Sequence, residues 1–269
     1  MAQFEVLPFE RAAEEAAQLP EPTRLTITSS PRHTPERTLE FSARIAALGH
    51  TVTPHLAARA VRDRGHLRAL LEQIAASGIE DVFVIGGDNG EPAGEFSAAG
   101  ELLPLIREDP HSVRTIGIAA YPEGHPLIDS DTLTQALRHK SAFADYMTTQ
   151  MCFDADVLLH WLRTARAQGT ELPAYIGMPG IVDRRRLLEV SMRIGVGPSL
   201  SYVRKQRGLL QLLRRPTSFA DKLYDALAPQ LSDPALNVDG FHYYTLNQLL
   251  DTWEWEHDMR ERRGLALES

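Results

Sequence analysis

The sequence predicts an α/β fold, a single (β/α)8 TIM barrel spanning residues 1–269. Three observations lead there. Short runs of β-branched and aromatic residues alternate with amphipathic segments, and this alternation repeats eight times along the chain. The best-defined run, Val82-Phe83-Val84-Ile85, is apolar throughout, as a strand covered on both faces must be. Several runs end on a polar residue next to Gly or Pro, the pattern of strands that present side chains at one rim. An open doubly wound sheet is the alternative and needs fewer strands.

Taken in order, the first strand is the apolar run 4–7, interrupted by Glu5 and followed by Pro8; a helix over 10–19 closes at Pro20-Glu21-Pro22. The second strand covers 25–28. Thr34-Pro35-Glu36-Arg37 then opens a helix, with a hydroxyl cap and proline at the first helical position, and Phe41, Ile45 and Leu48 share one face. A short third strand over 51–54 ends at His55. The helix over 65–77 places Leu67, Leu70, Leu71 and Ile74 together. After the fourth strand, Gly86-Gly87 lets the backbone turn and leaves Asp88 at the strand end. A helix over 96–107 and a fifth strand over 113–120 follow, ending in Tyr121-Pro122-Glu123-Gly124-His125-Pro126. Next come a helix over 132–144, a sixth strand over 146–149 ending in Gln150, a helix over 155–168, and a seventh strand over 174–178. Helices over 183–193, 199–213 and 217–227, an eighth strand over 238–245 and a helix over 246–263 complete the chain. The last few residues form a polar tail expected to fray.

Composition narrows the function. The formal charge of −8 argues against a nucleic-acid surface, which needs a basic face. Cys152 stands alone, so no intramolecular disulfide forms and a reducing compartment is expected. No apolar run reaches membrane-spanning length and the start MAQFEV lacks a signal-peptide pattern. The expectation is a cytoplasmic protein with neither nucleic-acid nor membrane partners.

The strand ends bring Glu5, Thr28, His55, Asp88, Tyr121, His125, Gln150 and Asn247 to one rim, where barrels place their chemistry. Bland readings stand beside this one. Asp88 caps a turn, Gln150 terminates a strand, and Cys152 is a small buried hydrophobe. His55 and His125 have no close HxH or HExxH partner, so a metal site is weakly supported. A Rossmann site is disfavoured because no glycine follows the first strand.

Taken together, these strand ends resemble the methylenetetrahydrofolate reductase family over nearly the whole chain. Phe4-Glu5 with Pro8, Pro54-His55-Leu56, Gly87-Asp88, Tyr121-Pro122-Glu123-Gly124-His125-Pro126, Thr149-Gln150 with Phe153-Asp154, Pro179-Gly180-Ile181 and Phe241-His242-Tyr243-Tyr244-Thr245-Leu246-Asn247 occur in the family's order. The resemblance implies reduction of 5,10-methylenetetrahydrofolate to 5-methyltetrahydrofolate. It implies Glu5 as the catalytic acid, with a pKa raised by its apolar neighbours, and Asp88 as the charge that stabilises the iminium. Gln150, Thr28 and Tyr121 would bind the folate; His55, His125 and Lys140 would contact the cofactor.

The departures bear on that cofactor. Gly86 stands where the family has arginine before Gly-Asp, Ser29 follows Thr28 in place of tyrosine, His139 precedes Lys140 in place of arginine, and Ala136 occupies an asparagine position. Losing the arginine removes a charge-assisted phosphate contact. The expectation is therefore weak or absent FAD binding, with NADH or NADPH as the direct hydride donor. Arg184, Arg185 and Arg186 read as a solvated helix start. A FAD-dependent reductase of the same family, or a non-catalytic folate- or nucleotide-binding barrel, is the alternative. Oligomeric state is left open, homo-oligomers included.

Overall fold

The computed structural model describes residues 1–88, 90–109, 113–181 and 217–264. Eight strands close into a barrel in chain order: β1 (Ala2–Val6), β2 (Arg24–Ile27), β3 (Thr51–Ala57), β4 (Asp81–Ile85), β5 (Thr115–Ala120), β6 (Tyr146–Thr149), β7 (Ala174–Pro179) and β8 (Val238–Tyr244). Each neighbouring pair is parallel, and β8 closes on β1 with Tyr244 opposite Glu5. The helices are α1 (Glu10–Ala16), α2 (Pro35–Ala46), α3 (Arg64–Ala76), α4 (Ala99–Glu108), α5 (Ser130–Ser141), α6 (Ala155–Ala167), α7 (Thr217–Leu231) and α8 (Leu249–Arg262). The expected helices over 183–193 and 199–213, with Arg184, Arg185 and Arg186, lie outside the described residues. None of the described helices is long and apolar enough to cross a membrane.

The period-two alternation of each strand separates two cores. Outward residues such as Phe4, Leu25, Val52, Val82, Val84, Ile116, Met147, Ile176 and Tyr243 join the helices in one apolar layer. Burial of each such aliphatic side chain contributes about 1.5–3 kcal/mol. Alternate residues point inward, where Phe83, Tyr146 and Tyr175 form a separate cluster with Ile85 and Ala119. Gly117 makes room for it: a Cβ there would lie 2.3 Å from the Tyr146 ring. This aromatic plug fills the lower barrel, and polar residues line the mouth above it.

Local chemistry sets the helices that hold this frame. Thr34 caps α2 by accepting from the Arg37 N–H at 3.4 Å, with Pro35 next. Asp63 caps α3 by accepting from the His66 N–H at 2.8 Å, and Leu67, Leu70, Leu71 and Ile74 form its buried face.

Some boundaries differ from the sequence expectation. β3 continues through Pro54 and His55 to Ala57, because Leu56 and Ala57 pair with Val84 and Ile85 of β4. His55 is therefore inside a strand and not at its end. α8 begins at Leu249, since Leu246 and Asn247 adopt positive φ (48° and 63°) in a tight turn. β5 starts at Thr115, α4 at Ala99, and α5 spans Ser130–Ser141.

Candidate active site

Glu5 is the centre of the barrel mouth. It lies on β1 between outward Phe4 and Val6, so its carboxyl points inward, where its side chain remains 16% exposed. Its Oε2 stands 3.3 Å from His242 Nε2 on β8 and 3.7 Å from His55 Nε2 on β3. The far side of the His242 ring is occupied too, with Nδ1 3.3 Å from Gln3 Oε1. Burial alone would raise the Glu5 pKa. The His242 hydrogen bond, the two nearby imidazoles and the Thr28 hydroxyl outweigh it, and the carboxyl is held below its ordinary value. The expectation of a raised Glu5 pKa is thereby corrected. Its apolar sequence neighbours point away into the helix layer, while its spatial neighbours are polar groups from other strands.

His55 is buried against the Phe83 ring, with centroids 4.9 Å apart. Burial pulls its pKa to about 4, against the opposing pull of Glu5. Its Nε2 has no hydrogen-bond partner, and neither has the buried Nε2 of Gln150 across the mouth. A buried polar atom without a partner is costly unless water or a ligand satisfies it, so both atoms leave hydrogen-bonding capacity open in the mouth. Tyr244 also faces inward and donates from its hydroxyl to the Thr149 carbonyl at 2.9 Å, bracing β8 against β6.

Asp88, Tyr121, His125 and Lys140 line a cleft of about 1160 Å³ that runs outward from the mouth over α4, α5 and α6. Asp88 is exposed on the turn after β4. Gly87 permits that turn: its φ is +94°, and a Cβ there would approach the Ala57 Cβ to 3.0 Å. The Tyr121 hydroxyl is pushed up by burial and then by the Asp88 charge. His125 meets the Tyr121 ring edge-on at 5.5 Å and accepts from the Leu127 N–H through Nδ1. Lys140 is buried on α5, where desolvation lowers its pKa to about 8, and its Nζ donates to the Ala119 carbonyl at 2.8 Å.

The sequence-derived residues thus form two adjoining groups: Glu5, Thr28, His55 and Gln150 in the mouth, and Asp88, Tyr121, His125 and Lys140 along the cleft. Tyr244 stands between them: its hydroxyl pKa is pushed up by burial first, and Glu5 of the mouth and Tyr121 of the cleft add to the rise. Asn247 has a structural role. Its side chain exchanges hydrogen bonds with the Leu7 N–H and carbonyl, fastening the turn after β8 to the end of β1. Sequence reasoning quoted His242 and Tyr244 only within the last motif and gave them no role, although their alternation with outward Tyr243 already placed them on the inner face. It also passed over Arg59 and Trp161 on the cleft wall, which no local motif marks. Among the described residues, no group of three or more His, Cys, Asp and Glu side chains converges as a metal site would.

Comparison with known proteins gives a consistent result. Residues 9–190 match the family model described as methylenetetrahydrofolate reductase. Methylenetetrahydrofolate reductase 2 of Saccharomyces cerevisiae is 30% identical over 123 residues, covering 42% of this chain and 20% of the yeast protein. Methylenetetrahydrofolate reductase (NADH) 1 of Arabidopsis thaliana is 29% identical over 139 residues, covering 45% and 24%. The matched stretch thus spans about a fifth of the length of these relatives. Glu5 and His242 both fall outside the segment that the family model matches. In overall fold the chain is similar to a Clostridium thermocellum protein described as binding two copies of 5-methyl-5,6,7,8-tetrahydrofolic acid, with a TM-score of 0.68, 11% identity, and coverage of 98% of this chain and 95% of that one. On the strength of the family-model match, this chain belongs to the methylenetetrahydrofolate reductase family.

Proposed function

We propose that the barrel mouth reduces 5,10-methylenetetrahydrofolate to 5-methyltetrahydrofolate, taking hydride directly from NADH or NADPH without FAD. The observation that carries this reading is an inward carboxyl, Glu5, in the mouth of a barrel of this family whose rim also holds the orphaned buried amide of Gln150. Relatives named for NADH and for NADPH support a nicotinamide nucleotide as donor. The Clostridium thermocellum barrel, described as binding the methylated folate, supports a folate ligand for this architecture.

In this reading Gln150 holds the pterin edge, its amide offering both a donor and an acceptor. A proton delivered through Glu5 to N10 breaks the bond between N10 and the methylene carbon, with the electron pair staying on N10. The N5 iminium cation that results is stabilised by the Asp88 carboxylate. Thr28 and Tyr121 border the folate, and the cleft beyond Asp88, with His125 and Lys140, receives the nucleotide. Hydride from the dihydronicotinamide then attacks the methylene carbon. The gain comes from holding two flat rings in reacting geometry, so no intermediate carrier is chemically required.

FAD, which the family resemblance implies, is a poor match to the residues of the cleft. Gly86 stands at the arginine position and supplies no cation there, and among the described residues a Cβ at that position would meet nothing within 4 Å. Arg59 donates to the Ser97 and Gly90 carbonyls, and Lys140 to Ala119. His139 replaces a permanent cation with a titratable ring.

The test is made on protein purified without added flavin. A colourless preparation should oxidise NADH or NADPH when, and only when, 5,10-methylenetetrahydrofolate is present. Activity that requires added FAD would overturn the direct-transfer reading. No oxidation under either condition would favour the binding-protein alternative.

A further inference from the structure

The lowered pKa of Glu5 poses a difficulty for any reaction that needs it as an acid: alone, it would be ionised at neutral pH. We propose that His242 is a positioning residue that stores the proton Glu5 delivers, so that the acid is a carboxyl–imidazole pair sharing one proton. This rests on the reductase reading above and specifies how its proton step works.

The geometry carries the inference. His242 Nε2 faces Glu5 Oε2 at 3.3 Å, and His242 Nδ1 faces Gln3 Oε1 at 3.3 Å. With the Gln3 amide oxygen turned to the ring, both nitrogens look at acceptor oxygens, an arrangement that a doubly protonated imidazolium satisfies. His242 is 2% exposed, so bulk water cannot substitute for either contact.

The other groups facing the pair do not compete for the proton. His55 on β3 lies 3.7 Å from Glu5 Oε2, beyond hydrogen-bond reach, and burial keeps it neutral down to about pH 4. Tyr244 on β8, whose ring lies 4.8 Å from that of His242, is pushed well above its ordinary pKa and already donates to Thr149. Thr28, beyond the end of β2, supplies only a hydroxyl. Among the described residues this leaves His242 as the partner placed to return a proton to Glu5.

The step balances simply. The resting pair is a Glu5 carboxylate beside a His242 imidazolium. Transfer of the proton from Nε2 to the carboxylate gives a neutral acid beside a neutral ring. The acid then protonates N10 as the bond from N10 to the methylene carbon breaks, and the substrate carries the positive charge as an iminium. The pair is left as carboxylate and neutral imidazole, and solvent reprotonates it after product leaves. Two interacting groups that share a proton titrate as a unit, so the pH dependence belongs to the pair.

Two measurements test this, the first needing no turnover. In 15N NMR of the ligand-free full chain at pH 7, both His242 ring nitrogens should be protonated, and Glu5→Gln should convert the ring to the neutral form. A neutral His242 in the unsubstituted protein would overturn the proposal. So would a His242 signal that Glu5→Gln leaves unchanged. The second measurement is the pH profile of kcat for His242→Gln, checked for folding by its thermal melt. We expect kcat at pH 7 to fall by at least about tenfold. Folate KM should stay within about twofold, because the lost interaction acts in the transition state and not in binding. The basic limb of the profile should move to lower pH, since Glu5 must then act as an acid alone. A reduced kcat with an unmoved basic limb would mean that His242 only supports the fold locally, and would overturn the proposal. If the unsubstituted protein reduces no folate, the reductase reading fails while the NMR measurement still decides whether the pair shares a proton.

Discussion

Glu5 owes its chemistry to residues far from it in sequence. Its immediate neighbours Phe4 and Val6 face the helix layer and leave its ionisation to the inner face, where His242, 237 residues away, lowers its pKa. That is why the sequence placed Glu5 in the site but misjudged its protonation: inward direction follows from strand alternation, whereas the partner depends on barrel closure. Gly86 is the complementary case, a position defined by what it lacks. Because a Cβ there meets no atom within 4 Å, Gly86→Arg should fold normally and place a guanidinium over the cleft. A charge-assisted hydrogen bond contributes about 1.5–3 kcal/mol, so FAD affinity should rise roughly tenfold or more, read by quenching of flavin fluorescence on titration. Unchanged affinity would show that a missing phosphate contact is not what disfavours the flavin.

At the scale of elements, strands β3, β4 and β6 meet over Asp81 at the lower end of the barrel interior. Thr53 donates to its carboxylate at 2.8 Å and the Tyr146 hydroxyl at 3.2 Å. Burial outweighs these donors and lifts the Asp81 pKa to about 7. The folded chain therefore keeps this proton up to about pH 7, while the unfolded chain releases it near pH 4. Between those values the folded state binds more protons, so this group's contribution to stability falls as pH rises. Buried His55 acts in the opposite direction. With a folded pKa of about 4 against an unfolded value near 6.5, its contribution is lost as pH drops through that window. Asp81→Asn keeps an acceptor for Thr53 and Tyr146 and removes only the titration. Its Tm relative to the unsubstituted protein should increase from pH 5 to about pH 7 and level off above that, a comparison in which the His55 effect cancels. A difference independent of pH would show that Asp81 is ionised throughout. Element boundaries were the least legible feature for the same reason that Asp81 was overlooked: both depend on what lies across the sheet. Pro54-His55 reads locally as a strand end, yet β4 extends the strand to Ala57. Leu246 looks like a helix start, yet the chain must turn through positive φ before α8 can pack.

For the molecule as a whole, closure of β8 on β1 brings Glu5 of the first strand and His242 of the last together at the site. The eightfold strand–helix repeat made the barrel legible, and polar strand ends made one rim legible as a site. The cleft was legible only in part: Asp88, Tyr121, His125 and Lys140 were named from the sequence, whereas its outer wall lies on helices whose exposed faces resemble any solvated surface, and Arg59 and Trp161 carry no motif that would single them out. Together the mouth and the cleft give two adjoining compartments, one proposed for the pterin and one for the nucleotide. That arrangement underlies the central claim, direct hydride transfer between two ligands bound at once.

A single-turnover reaction with nicotinamide nucleotide deuterated at both C4 positions, run in ordinary water, tests that claim most directly. Reduced flavin exchanges its transferable hydrogen with water, whereas hydride passed directly from carbon to carbon does not. Direct transfer predicts a methyl group carrying one deuterium in the 5-methyltetrahydrofolate product, with no loss to solvent. A product methyl group free of deuterium, with the label recovered in water, would contradict direct transfer and require an exchanging carrier between the two substrates.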